Sequence, residues 1–162
     1  YCLQTSRKFL RRSPVAKTLL SARLAFMITA IVEPYDFLDI KDLPKVHSDE
    51  RRTISEKIDE SGNGIKRTTR IVVNMPSVVL GNHYHDFSEQ FTGIGTGKFY
   101  SSPISEPGDI SVQNLPEKGW KVTVPAGIVH AFSVHKNAIL ISTADKMFQD
   151  GVNTHSTIIA NA

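Results

Sequence analysis

The chain has one cysteine, one tryptophan and three methionines among 162 residues, and aromatic residues make up 8% of it. The single thiol, Cys2, has no partner within the chain, so an internal disulfide is excluded, and the body carries no sign of an oxidising compartment. No stretch approaches the roughly 18 consecutive apolar residues that a membrane-spanning helix requires. Long amphipathic helical windows, internal repeats and low-complexity tracts are absent as well.

Positive charge is scarce where it would matter for nucleic acid. The formal charge of +3 arises from residues 1–27, which hold six basic residues (Arg7, Lys8, Arg11, Arg12, Lys17 and Arg23) and no acid. Subtracting them from 19 basic residues leaves 13 against 16 acids, a net of −3 for the remainder. A body of that sign presents no basic block, and nucleic acid is excluded as a partner. Residues 1–26 read as a basic leader that is disordered, transit-like, or upstream sequence translated ahead of Met27-Ile-Thr-Ala-Ile-Val. The expected location is cytoplasmic, or an organelle if the leader is a transit peptide.

What the chain does have is strand rhythm. Residues 36–66 are charged, with Ile54, Ile58 and Ile65 as scattered apolar points, and predict short strands or a peripheral helix joined by turns. From Thr69 onward short β-rich runs follow one another: Arg70–Met75, Ser77–Leu80, Gln90–Gly95, Lys98–Tyr100, Asp109–Val112, Gly119–Val124, His130–Val134 and Ala138–Ser142. Turn signals at Gly81-Asn82, Pro103, Glu106-Pro-Gly108, Lys118-Gly119 and Pro125-Ala-Gly127 separate them. The pattern predicts an all-β sandwich or jelly-roll barrel. Gly93-Ile-Gly-Thr-Gly97 lacks the helix and the Lys-Ser or Lys-Thr pair of a phosphate loop and predicts a glycine-bent strand. Trp120 and Phe132 are expected in the core, and Phe91 and Phe99 either there or at the barrel mouth. His47 and His155 stand outside the motif region and read as surface residues.

Chemistry concentrates in two blocks. Along a strand His83 and His85 project to one side, and Glu89 joins them if the chain stays extended or turns through a hairpin. Forty-one residues after Glu89, His130 follows Pro125-x-Gly127, a turn that re-aims the next strand, and it points the way Phe132 and Val134 point. Three imidazoles and a carboxylate suit a divalent Zn, Mn, Fe or Ni ion and leave coordination positions open for water or substrate.

His83-x-His85-x-x-x-Glu89 followed by Pro125-x-Gly127-x-x-His130 resembles the paired motifs of the cupin superfamily, at all four metal-ligand positions. The resemblance implies a single-domain cupin jelly-roll: N-terminal strands or a peripheral segment over 27–68, the barrel core over 69–150 and a tail over 151–162. Ser77, Thr96 and Val134 depart from the family's usual glycine, glycine and asparagine, which touches turns more than ligands. Gly81-Asn-His-Tyr-His85, Glu89-Gln-Phe91, Gly97 and Lys118–His130 are similar to cupins acting on nucleotide-activated sugars, among them 3,4-ketoisomerases and capsular polysaccharide epimerase/reductases. Asp49-Glu-Arg-Arg52 is similar to the Asp-x-Arg-Gly opening of the ketoisomerases, without its glycine. That subfamily commonly lacks the full ligand set, so the intact set here favours metal-dependent members.

The resemblance implies a carbohydrate-like substrate, a homodimer, and keto-sugar isomerisation or epimerisation in which metal charge stabilises an enediolate; no membrane is expected as a partner, for want of a long apolar stretch. Tyr100, Tyr84, Lys98 and His135 are the candidates for moving the proton, with Tyr100 and Tyr84 taken as catalytic. Without metal, His83 and His130 take that role. A metal-dependent dioxygenase and a non-catalytic small-molecule-binding cupin are the alternatives.

Overall fold

A computed structural model describes residues 30–60 and 66–146, together with the backbone of Val152–Asn153. The basic leader and most of the C-terminal tail lie outside the described residues, as does His155.

Among the described residues twelve strands follow in order: β1 Glu33–Pro34, β2 Lys45–Ser48, β3 Arg52–Ile58, β4 Arg67–Val73, β5 Ser77–His85, β6 Glu89–Ile94, β7 Gly97–Pro103, β8 Ser111–Leu115, β9 Trp120–Val124, β10 Ile128–His135, β11 Ile139–Ala144 and β12 Val152–Asn153. No helix occurs among the described residues, so the 36–66 segment resolves as strands β2 and β3. Every pairing is antiparallel. A seven-stranded sheet has the order β1-β9-β6-β11-β4-β3-β2, and a five-stranded sheet the order β12-β5-β10-β7-β8. From β4 to β7 the chain changes sheet at each connection, and it does so again from β8 to β11. This interleaving of two antiparallel sheets is a jelly roll.

Alternation explains which faces meet. Trp120, Val122 and Val124 of β9 are buried, while Lys121 and Thr123 between them are not. Phe99, Trp120, Phe132 and Leu140, all 1% exposed or less, fill the space between the sheets. Trp120 stacks on Phe132 at 5.5 Å and lies against Gly93 on the neighbouring strand. A Cβ at Gly93 would stand 2.3 Å from the indole, so the glycine-rich run serves packing of the tryptophan.

One irregularity aims the site. Leu80 and His83 are three residues apart, a spacing that puts side chains on opposite faces of a regular strand. Both nevertheless face inward, because the β5–β10 pairing runs Leu80↔Phe132, Gly81↔Ala131 and then His83↔His130, leaving Asn82 as an extra residue. Gly81 and Asn82 adopt φ of 79° and 66°, the left-handed conformation that glycine and asparagine tolerate best. This bulge reverses the parity of β5, and the histidine pair joins the core-facing row begun by Val78 and Leu80.

Candidate metal centre

His83, His85 and His130 converge from adjacent strands of the five-stranded sheet, with all three ligand-capable nitrogens within 4.8 Å of one another. Their ring centroids are 4.5 to 5.4 Å apart. Phe87 stacks on His85 and Phe91 lies 5.5 Å from His130, so the rings are braced on their apolar sides. The two sequence blocks are also joined through the backbone: Gly127 N–H, at φ 75°, donates to the His85 carbonyl at 2.8 Å. The Pro-x-Gly turn therefore fixes the level of His130 relative to His85.

His130 is fully buried, and its Nδ1–H donates to the Ile128 carbonyl at 3.1 Å. That tautomer leaves the lone pair on Nε2, which is buried without a hydrogen-bond partner among the described residues. A desolvated imidazole lone pair facing two other imidazoles is what a metal ion would satisfy. Burial, reinforced by the neighbouring histidines, pushes His83 down to about 3. Burial likewise pushes His130 down to about 4. Both rings are thus in the neutral, ligand-competent form at ordinary pH.

Glu89 stands beside this group of three rather than within it. Its Oε2 lies 3.0 Å from His85 Nε2, while Oε1 accepts from Arg67 at 3.0 Å and from the Ser142 hydroxyl. Burial raises the carboxyl pKa, but the hydrogen bonds from His85 and Ser142 and the charge of Arg67 outweigh it, so Glu89 is held below its usual range. The donor chemistry fits a divalent ion held by His83, His85 and His130, with the Glu89 carboxylate adjacent to complete the set.

The centre opens into a cavity of about 410 Å³. Ile54, Ile71, Leu80, Phe132 and Leu140 give it apolar walls, and Arg52, Glu56 and Thr69 add polar groups from β3 and β4. None of those three polar side chains belongs to the two motifs. They reach the pocket by alternation and register, Arg52, Ile54 and Glu56 sharing one face of β3, with Glu56 opposite Thr69. His47 also lines the mouth, since β2 pairs it with inward-facing Ile54; it is exposed, as expected, yet belongs to the pocket.

The proton-transfer candidates lie elsewhere. Tyr84 falls between the two inward histidines and so takes the opposite face of β5. Tyr100 pairs with Ala131 and Val112 on the outer side of the five-stranded sheet, while its neighbours Phe99 and Ser101 are buried. Neither tyrosine lines the cavity. Lys98 is exposed, and His135, also exposed, donates from Nδ1 to the Pro76 carbonyl at 3.2 Å. Phe91 lines the cavity, whereas Phe99 is core.

No family model and no curated protein matches the chain. Solved structures do. The capsular polysaccharide assembling protein CapF from Staphylococcus aureus superposes with a TM-score of 0.54 at 19% identity, over 65% of this chain and 30% of that one. Oxalate decarboxylase from Lactobacillus farciminis gives 0.53 at 11% identity, over 78% of this chain and 36% of that one. The QdtA 3,4-ketoisomerase from Thermoanaerobacterium thermosaccharolyticum gives 0.50 at 12% identity, over 80% of this chain and 90% of that one. The chain spans about a third of the length of the first two proteins. At these identities the likeness establishes the fold, which is the all-β cupin jelly roll. Its structural neighbours include a 3,4-ketoisomerase.

Proposed function

We propose that this protein is a metal-dependent cupin enzyme acting on a carbohydrate-like small molecule, with isomerisation or epimerisation of a keto-sugar as its reaction. The observation that carries the proposal is the buried, unpartnered Nε2 of His130, facing His83 and His85 at the floor of a cavity of about 410 Å³. A divalent ion bound there supplies a positive charge that stabilises negative charge developing on a substrate oxygen. The chain's own residues do the rest. Ile71, Leu80, Phe132 and Leu140 exclude water around the reacting carbon, and Glu56 and Thr69 offer hydrogen bonds to hydroxyl groups.

The proton must be moved by a cavity-lining group that is not a ligand. Glu56 and His47 are so placed, and they replace Tyr84 and Tyr100 as the candidates for that role. A homodimer accords with the open edge at β8, where Ile110 and Val112 are 45% and 52% exposed.

The test begins with elemental analysis of protein purified without chelator and offered Zn, Mn, Fe and Ni. One equivalent should be retained by the wild type and none by the His83→Ala/His130→Ala variant; equal retention sinks the metal reading. Loaded protein is then incubated in D₂O with a nucleoside-diphospho-4-ketohexose. Exchange of the proton beside the carbonyl, lost in the double variant, supports the reaction class. Consumption of O₂ instead would indicate an oxygenase, and ligand binding without exchange or turnover a binding module.

A further inference from the structure

Of the two arginines that line the cavity, one has no carboxylate partner among the described residues. Arg67 is paired with Glu89. Arg51 takes the neighbouring acid: Asp49 Oδ2 accepts from its guanidinium at 3.1 Å and from His47 Nε2 at 3.3 Å, while Oδ1 accepts from the backbone N–H groups of Arg51 and Arg52 at 2.9 and 2.8 Å. Both oxygens of Asp49 are thereby used, and the Arg52 side chain turns the other way, into the cavity. Its Nε is buried with no hydrogen-bond partner, and it forms no ion pair among the described residues. An Nε–H that has given up water without gaining an acceptor, on a cation that lines a cavity, is an unmet demand that an anion would satisfy.

Its position defines what that anion is attached to. Arg52, Ile54 and Glu56 alternate along the cavity face of β3, so Arg52 and Glu56 are separated by about 13 Å at the usual strand rise. Glu56 sits at the reactive end: it is opposite Thr69, Thr69 is opposite Ser142, and Ser142 donates to Glu89. Thr69 occupies Glu56 Oε2 at 3.0 Å, and the carboxylate retains capacity to accept from a hydroxyl. The cavity thus has a hydroxyl-accepting end beside the histidines and a cationic end remote from them.

We infer that Arg52 is the specificity residue for a phosphate-bearing sugar, holding the phosphate while the hydroxylated ring lies between Glu56 and the three histidines. The inference deepens the carbohydrate reading and rests on it for the identity of the ring, but the phosphate contact requires no metal. Phosphate suits the fork geometry of a guanidinium, and a half-buried setting strengthens the contact.

Calorimetric titration of the full chain with a hexose 6-phosphate, with UDP and with the uncharged hexose provides the test. The phosphorylated ligands should bind the wild type more tightly than the free hexose. Arg52→Gln should weaken one or both by about tenfold to hundredfold, the range of a charge-assisted contact, without changing metal content. Which of the two responds separates a monoester from a diphosphate. In the His83→Ala/His130→Ala variant phosphate binding should persist, so a failed metal centre and a failed phosphate site give different results. Undiminished binding in Arg52→Gln overturns the inference, as does loss of phosphate binding only in the histidine variant. If Arg52→Gln does not fold, Arg52→Lys keeps the charge and loses the fork; it should bind several-fold more weakly, and wild-type affinity there overturns the inference equally.

Discussion

Arg67 reaches across the small side chain of Ala144 to donate to Glu89 at 3.0 Å, linking two strands that are not neighbours. The register explains it: on β11, Ala144 pairs with Arg67 of β4 on one side and Glu89 of β6 on the other. Both charged side chains are 5% exposed or less. A buried pair of this kind costs much to break, because the remaining charge is stranded. Arg67→Met should destabilise the protein by about 3–5 kcal/mol in urea unfolding, and adding Glu89→Gln should restore part of that loss. Additive losses in the double variant would show that the two residues are not coupled. Glu89→Gln alone should weaken metal retention about 10- to 100-fold, against abolition in His83→Ala/His130→Ala.

The bulge at Asn82 makes a sharper prediction, because it concerns direction and not strength. Deleting Asn82 removes the one unpaired residue, so alternation runs regularly from Leu80 (inward) through Gly81 (outward) to His83, and the pairs Gly81↔Ala131 and His83↔His130 keep both histidines inward and Tyr84 outward. The variant should keep metal binding together with a β-type circular dichroism spectrum. Asn82→Gly, compatible with the observed φ of 66°, should retain metal, and Asn82→Val should lose about 1–2 kcal/mol of stability. Loss of metal by the deletion variant, with the β-type spectrum kept, would mean that the bulge does more than set the histidine direction.

These two cases mark what was legible in the sequence. The runs containing Val122, Phe132 and Leu140 announce their strands because an apolar core imposes period-2 alternation on them, and each of β4 to β11 overlaps an expected run. The histidine group was legible because each motif carries its residues at fixed local spacing. β3 escaped a firm reading since its inward row, Arg52, Ile54 and Glu56, faces a polar cavity and breaks the apolar pattern. Arg67 and Ser142 were invisible for a different reason: cross-strand register brings them to Glu89, and no spacing along the chain encodes register. The same logic separates Tyr100 from the cavity, as one residue along β7 is the difference between the two faces.

Ser101 offers a test of the core beside the centre. It is 2% exposed, lies opposite His130 on the adjacent strand, and its hydroxyl has no hydrogen-bond partner among the described residues. An unsatisfied buried hydroxyl costs about 1–3 kcal/mol. Ser101→Ala should therefore raise the melting temperature, with gains of about 1 kcal/mol expected after the small loss of packing. A fall in stability would show that the hydroxyl is bonded in solution.

The histidine centre should also write itself into the pH dependence of folding. In the folded chain His83 and His130 lie at about 3 and about 4, against an ordinary value of 6.5. Between pH 6.5 and about 4 the unfolded chain therefore binds more protons than the folded one, so stability of the metal-free protein falls as pH falls through that window. Each histidine contributes a slope of up to about 1.4 kcal/mol per pH unit, with no contribution above about pH 7. Glu89, held below its usual range, adds a loss of the same sign that sets in at lower pH, near the ordinary carboxyl value. Urea unfolding in chelator at pH 7.5, 6.5, 5.5 and 5.0 measures the slope directly. His83→Ala removes one depressed imidazole and should flatten the curve between pH 6.5 and 5.0 by close to one proton. An unchanged slope in that variant would show that His83 titrates normally in the folded protein, and that the centre is not held in its neutral, metal-ready form by burial.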